Sequence, residues 1–128
     1  MDKKVLIVDD ELHLRMLLEQ TLEPLEDEDV DLLSASDGQE ALDIITQEKP
    51  QLVFLDVMMP KMNGFDVCQE VKKILQLDIY IIMLTAKGQE FDKKKGEEVG
   101  ADVYMTKPFD PDEVLEKAMD VLGIEDNS

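Results

Sequence analysis

Four apolar runs punctuate the chain, and each ends in polar residues. Val5-Leu6-Ile7-Val8 runs into Asp9-Asp10, Leu52-Val53-Phe54-Leu55 into Asp56, Ile79-Tyr80-Ile81-Ile82-Met83-Leu84 into Thr85, and Val103-Tyr104-Met105-Thr106 into Lys107-Pro108. Short Val- and Ile-rich runs separated by helix-length segments read as buried strands of a parallel sheet. The pattern predicts strands at 4–8, 30–35, 51–56, 79–84 and 102–105, and helices at 11–25, 38–48, 64–76, 90–99 and 111–122. Start and stop signals support the helices. Asp37 stands three residues before Glu40, Asp110 three before Glu113 with Pro111 at the first helical position, and Gly100 and Gly123 follow the fourth and fifth helices.

A fivefold β–α alternation with right-handed crossovers gives an α/β fold, a doubly wound five-stranded parallel sheet with helices on both faces. Of the common strand orders, five strands favour the flavodoxin-like 2-1-3-4-5. Ligands on such sheets sit outside the carboxyl ends of the strands, at the switch point between the first and third. Asp9, Asp10 and Asp56 therefore line one crevice, with Thr85 and Lys107 on the same rim. Unit charges about 4 Å apart repel by up to roughly 4 kcal/mol per pair at an effective dielectric near 20, so three carboxylates need more than one lysine to balance them. All-oxygen donors with no His or Cys nearby point to a hard divalent cation, Mg²⁺ or Mn²⁺.

The segments Val8-Asp9-Asp10-Glu11, Leu55-Asp56-Val57-Met58-Met59-Pro60-Lys61-Met62-Asn63-Gly64, Leu84-Thr85-Ala86 and Gly100-Ala101-Asp102-Val103-Tyr104-Met105-Thr106-Lys107-Pro108-Phe109 resemble, in order, the motifs of the receiver domain of two-component response regulators. That resemblance implies that Asp56 accepts a phosphoryl group from a histidine kinase or a histidine phosphotransfer protein. It further implies Mg²⁺ held by Asp10 and Asp56 directly, by Asp9 through water, and by the backbone carbonyl of Met58. Lys107 and the Thr85 hydroxyl would contact phosphoryl oxygens, small Ala86 would keep the pocket open, and Lys107–Pro108 would be a cis peptide. Tyr104 would move between an outer and an inner rotamer, changing the face formed by the fourth helix, fifth strand and fifth helix. Such a module is a phosphoacceptor that assists its own phosphorylation and dephosphorylation, not a turnover enzyme on an external substrate. Its output passes to a downstream protein or to a C-terminal output domain.

Several residues have plainer readings. Alone, Asp10 reads as a helix N-cap. Thr85 reads as an ordinary strand-end hydroxyl and Tyr104 as a half-exposed strand aromatic. His13 reads as a surface histidine, and Cys68 as a core thiol sharing an apolar stripe with Val71 and Leu75. On the first helix, Leu14, Leu17, Leu18, Thr21, Leu22 and Leu25 fall on one face while Leu12 and Met16 fall on the opposite one. That placement suggests a docking patch for a kinase helix, although singly exposed apolar residues are normal.

Composition narrows the class. A length of 128 residues fits one domain, taken as 1–124, with 125–128 as a polar tail or the start of a linker. The acidic stretch Glu23–Asp29 reads as a solvated loop. One cysteine excludes an internal disulfide, and no apolar run approaches a membrane span, so a cytoplasmic, soluble protein with no membrane partner is expected. A net charge of −18 argues against direct nucleic-acid binding. Two other classes share parts of the pattern. A haloacid-dehalogenase-like aspartyl phosphatase places its nucleophile after the first strand with a second Asp two residues on, a spacing that Asp9-Asp10-Glu11-Leu12 lacks. A flavodoxin-like electron carrier needs hydroxyls and glycines where this chain has two carboxylates.

Overall fold

A computed structural model describes residues 3–59, 61–86, 90–107 and 109–124, with the backbone alone for 86 and 90–93. Its strands are β1 (Lys3–Val8), β2 (Val30–Ala35), β3 (Leu52–Asp56), β4 (Tyr80–Ala86) and β5 (Val103–Lys107). The helices are α1 (Leu12–Leu22), α2 (Gly38–Glu48), α3 (Gly64–Gln69), α4 (Glu90–Val99) and α5 (Pro111–Leu122). All strand pairs are parallel, in the expected order 2-1-3-4-5.

The apolar runs fill both faces of the sheet. Leu6, Val8, Val53, Leu55, Ile81 and Met83 pack with Ala41 and Ile45 of α2, Val67 and Cys68 of α3, and Val99 of α4. Val5, Ile7, Leu52, Phe54, Ile82, Leu84 and Met105 pack with Leu18 and Leu22 of α1 and with Val114, Ala118 and Leu122 of α5. Strand side chains alternate between faces, so a continuous apolar run is what a sheet covered on both sides requires. Removing one fully buried member, as in Ile7→Ala, is worth about 2–5 kcal/mol.

Local signals act as the sequence suggests at α2, where the Asp37 carboxylate accepts from the Glu40 N–H at 2.8 Å. Asp110 instead accepts from the Asp112 N–H at 2.9 Å, a tighter turn than the Asp110–Glu113 spacing predicts. Gly123 closes α5 at φ +73.

Several boundaries differ from expectation by more than one residue. The first helix stops at Leu22, not 25, because Pro24 has no N–H to continue the ladder. The acidic stretch is correspondingly no open loop. Glu23–Glu28 forms a 3-10 helix that buries Leu25 and ends at Asp29 in the left-handed region, φ 61. The third helix turns from α to π at Glu70–Ile74, which rotates its tail and leaves Leu75 40% exposed, off the stripe that Cys68 and Val71 keep buried. Strands β4 and β5 extend past their predicted ends to Ala86 and Lys107.

Candidate functional site

Register and parity decide which side chains meet at the rim. Asp9 follows Val5 and Ile7 in alternation, Asp56 follows Leu52 and Phe54, and Lys107 follows Val103 and Met105, all positions on the α1/α5 side of the sheet. Thr85 and Tyr104 have the opposite parity, alongside Met83, which pairs in register with Tyr104. The longer β4 and β5 thus place Thr85 and Lys107 inside the hydrogen-bonded sheet, where the backbone fixes them more firmly than a loop would.

The three predicted carboxylates do converge. Asp9, Asp10 and Asp56 each offer an oxygen within 4.8 Å of the other two. Asp9 is fully buried, Asp56 is 6% exposed, and Asp10 lies open to solvent. Lys107 reaches in from β5, its Nζ donating to Asp56 Oδ1 at 2.9 Å and to Asp9 Oδ2 at 3.1 Å. Burial pushes the Asp56 carboxyl up to about 6; the Lys107 hydrogen bond pulls it back, and the charges of Asp9 and Asp10 add to the upward push. Burial disfavours the Lys107 ammonium too, but Asp56 and Asp9 outweigh that and hold it above its ordinary value. Among the described residues Lys107 is the lysine paired with this cluster, and it meets two of the three carboxylates.

Asp9 and Asp10 play unequal parts. Every polar group of Asp9 is engaged: its N–H donates to the Ala35 carbonyl at 3.2 Å, its Oδ1 accepts from the Glu11 N–H at 2.9 Å, its Oδ2 meets Lys107, and its carbonyl accepts from Arg15 Nη1 at 2.6 Å. Asp10 does not cap α1, since the N-cap position is Glu11 and carries no side-chain cap bond. Its carboxylate faces solvent beside the two buried ones. A hard divalent cation fits this all-oxygen donor set, whose charge a single lysine leaves unbalanced.

The segment after β3 is drawn tightly against the site. The Gly64 N–H donates to the Val57 carbonyl at 2.9 Å, and a Cβ at Gly64 would collide with the Asp56 carbonyl. Asn63 caps α3 by accepting from the Asp66 N–H at 3.0 Å. Met58, between these anchors and Asp56, is 74% exposed. Thr85 is buried, at 4% exposed. Tyr104 is half-buried with its ring against Gly96 of α4, where an added Cβ would come 2.6 Å from the ring. Ala86 is described in its backbone only, and Pro108, and with it the expected cis peptide, lies outside the described residues, as do 125–128.

On α1, Leu12 is 61% and Met16 50% exposed, as the helical phase predicts. Leu17, expected to face inward, is 40% exposed, so the outward apolar patch is broader than the sequence indicated. Sequence reasoning missed two contacts. One is Arg15 on the Asp9 carbonyl, signalled only by Arg15 being the one arginine in the chain. The other is Asp102, whose Oδ2 accepts from Lys72 Nζ at 2.6 Å and from the Ile81 N–H at 2.8 Å.

A doubly wound sheet of order 2-1-3-4-5 carries two buried acids, one exposed acid and a shared lysine at its switch point, the arrangement expected of a receiver domain. The chain belongs to the response regulator receiver domain family, whose model matches residues 5–119. It is 48% identical over 122 residues to the Bacillus subtilis alkaline phosphatase synthesis transcriptional regulatory protein PhoP, covering 95% of this chain and 49% of that protein. Among solved structures it resembles the Vibrio cholerae chemotaxis protein CheY4, with 33% identity, a TM-score of 0.81, and 94% and 99% of the two chains covered. The Francisella response regulator 1452 receiver domain matches at 27% identity and a TM-score of 0.83, covering 94% and 97%. The chain spans about half the length of the curated relatives it matches. It is a receiver domain of two-component signal transduction, and neither the phosphatase nor the electron-carrier reading is supported. Among the described residues no helix is long and apolar enough to cross a membrane.

Proposed function

We propose that Asp56 is the phosphoacceptor of a phosphorelay, receiving its phosphoryl group from a histidine kinase or a histidine phosphotransfer protein in a reaction that requires Mg²⁺ or Mn²⁺. The observation that carries this is Lys107 bonded at once to Asp9 and Asp56 within a three-carboxylate cluster that it cannot neutralise alone. Without metal the Asp56 carboxylate is ionised above about pH 6, and the ionised form is the nucleophile. One of its oxygens attacks the phosphorus, the P–N bond to the donor imidazole breaks, and the imidazole leaves with the electron pair. A divalent cation held by Asp10, Asp56 and the Met58 carbonyl, with Asp9 acting through water, would offset the like charges and steady a phosphoryl oxygen. Lys107 then exchanges a carboxylate oxygen for a phosphoryl oxygen, which keeps its charge where negative charge accumulates.

Thr85 and Tyr104 share the opposite parity, so the signal crosses the sheet. In this reading the Thr85 hydroxyl turns toward the phosphoryl group and Tyr104, whose ring rests against Gly96, moves into the space that Thr85 leaves, reshaping the α4–β5–α5 face. The module acts as an acceptor and not as a turnover enzyme, and it works in the cytoplasm. It hands its state to a protein partner or to an output domain such as transcriptional regulators of twice this length carry. Leu12, Met16 and Leu17 offer the kinase an exposed apolar edge on α1, the helix that follows Asp9 and Asp10.

The test is incubation with acetyl phosphate and Mg²⁺, followed by intact mass. The wild type should gain one phosphoryl group, and Asp56→Asn or omission of the metal should abolish the gain. Equal gain by Asp56→Asn would overturn the assignment.

A further inference from the structure

The peptide joining Asp9 to Asp10 links a fully buried carboxylate to an exposed one, and its orientation decides where the Asp10 carboxylate points. On the Asp9 side three anchors are set by the sheet and by Lys107: the N–H on Ala35, Oδ1 on the Glu11 N–H, and Oδ2 on Lys107. The carbonyl of that peptide is held by neither the sheet nor Lys107. It accepts from Arg15 Nη1 at 2.6 Å, across six residues of sequence. Arg15 is half-buried, and its own N–H donates to the Glu11 carbonyl at 3.1 Å, so its backbone is fixed in the first turn of α1. A guanidinium carries its donors in a rigid plane, and a hydrogen bond from a charged donor is stronger than a neutral one.

We infer that Arg15 is a positioning residue: its guanidinium fixes the Asp9–Asp10 peptide plane and so holds the Asp10 carboxylate beside Asp56. The inference rests on the cation reading of the rim for one of its two measurements only. The rival role for Arg15 is a spare positive charge near three carboxylates, and the two roles have opposite signs. Removing a nearby positive charge tightens cation binding, most of all at low salt. Releasing the peptide plane weakens it, because binding must then order Asp10 as well.

The experiment compares wild type, Arg15→Ala and Arg15→Lys in two ways. In EDTA, amide hydrogen exchange is followed at Glu11, whose N–H is bonded to Asp9 Oδ1, with Ile7 in the core of β1 as reference. Arg15→Ala should speed exchange at Glu11 about tenfold while Ile7 is unchanged, and Arg15→Lys, which keeps a charged donor of similar reach, should fall between. Mn²⁺ binding, read from the electron paramagnetic resonance signal of the free ion, should weaken about tenfold in Arg15→Ala at both 0.05 and 0.5 M salt, with partial rescue by Arg15→Lys. Unchanged Glu11 exchange in Arg15→Ala, or Mn²⁺ binding equal to or tighter than wild type, would overturn the inference. If the wild type itself failed to bind Mn²⁺, the cation reading would fall, and the exchange measurement would still decide the role of Arg15.

Discussion

Two lysines in this domain sit in nearly equal exposure and do different work. Lys72, in the π turn after α3, is 18% exposed in its side chain and meets Asp102 at 2.6 Å; Lys107, at the end of β5, is 20% exposed and meets Asp56 at 2.9 Å and Asp9 at 3.1 Å. The difference lies with the acids. The Asp102 side chain is 31% exposed and spends the same oxygen on the Ile81 N–H, so its one charge is matched by one lysine and one backbone donor. The Asp9 and Asp56 side chains are 1% and 8% exposed, with Asp10 close by, so among the described residues negative charge exceeds positive in a poorly solvated place. The first arrangement is a closed staple that ties the end of the third helix to β4 and the start of β5. The second is left open to a further cation. An unbalanced buried cluster costs stability, and here that cost marks the site.

Replacing each lysine separates the two most sharply. In EDTA at pH 7, Lys107→Ala should lower unfolding stability by about 3 kcal/mol, because it strands buried carboxylates, and saturating Mg²⁺ should restore part of the loss. Urea titration with and without Mg²⁺ measures both. A loss that Mg²⁺ leaves untouched would mean that the cluster is structural, like that at Asp102.

Asp56→Asn should act in the opposite direction. Because the folded Asp56 carboxyl titrates at about 6, above its ordinary 3.8, the native state binds the proton more tightly than the unfolded chain does, and ionising Asp56 costs stability. The cost is absent below about pH 4, grows through the interval to about pH 6, and is complete above it. Asp56→Asn without metal should therefore gain about 2 kcal/mol at pH 7 and nothing near pH 4. Thermal or urea unfolding across that range reads it directly, and a destabilised Asp56→Asn at pH 7 would contradict the unbalanced-charge account.

The staple should give a smaller response. Lys72→Ala should cost about 0.5–1 kcal/mol, since the pair is partly solvated and Asp102 keeps the Ile81 N–H, and Mg²⁺ should not alter that cost. Smallest in stability is the double change Leu12→Ser with Met16→Ser, within about 0.5 kcal/mol of wild type because both side chains are solvated. It should nonetheless slow phosphotransfer from a histidine kinase while labelling by acetyl phosphate stays intact. Equal loss in both assays would remove the docking role.

The rim was legible in the sequence because strand ends are. Apolar runs fix where each strand lies, period-two alternation fixes which side chains share a face, and the sheet order brings Asp9, Asp56 and Lys107 together across about a hundred residues. The capping of α2 by Asp37 was legible for the same reason, being set by local geometry. What stayed hidden depends on contacts that periodicity does not encode. The π turn at Glu70–Ile74 is a change of helical pitch with no composition signal, and it turns Leu75 out of the core. The 3-10 helix at Glu23–Glu28 reads as an acidic loop, and although helical phase already put Leu25 on the face of Leu18 and Leu22, no composition signal marks the tighter turn that buries it. Arg15 and Asp102 each act on a backbone group of a distant residue, one on the Asp9 carbonyl and one on the Ile81 N–H.

Acyl phosphates on aspartate are reduced by borohydride to homoserine, which marks the acceptor position permanently. The most direct measurement is therefore phosphorylation with acetyl phosphate and Mg²⁺, borohydride reduction, and peptide mapping by tandem mass spectrometry. Homoserine at position 56 alone, lost when Mg²⁺ is withheld, is the predicted result. Homoserine at position 9 or 10, or at none of the three, would contradict the assignment of Asp56 as acceptor with Asp9 and Asp10 on the metal side.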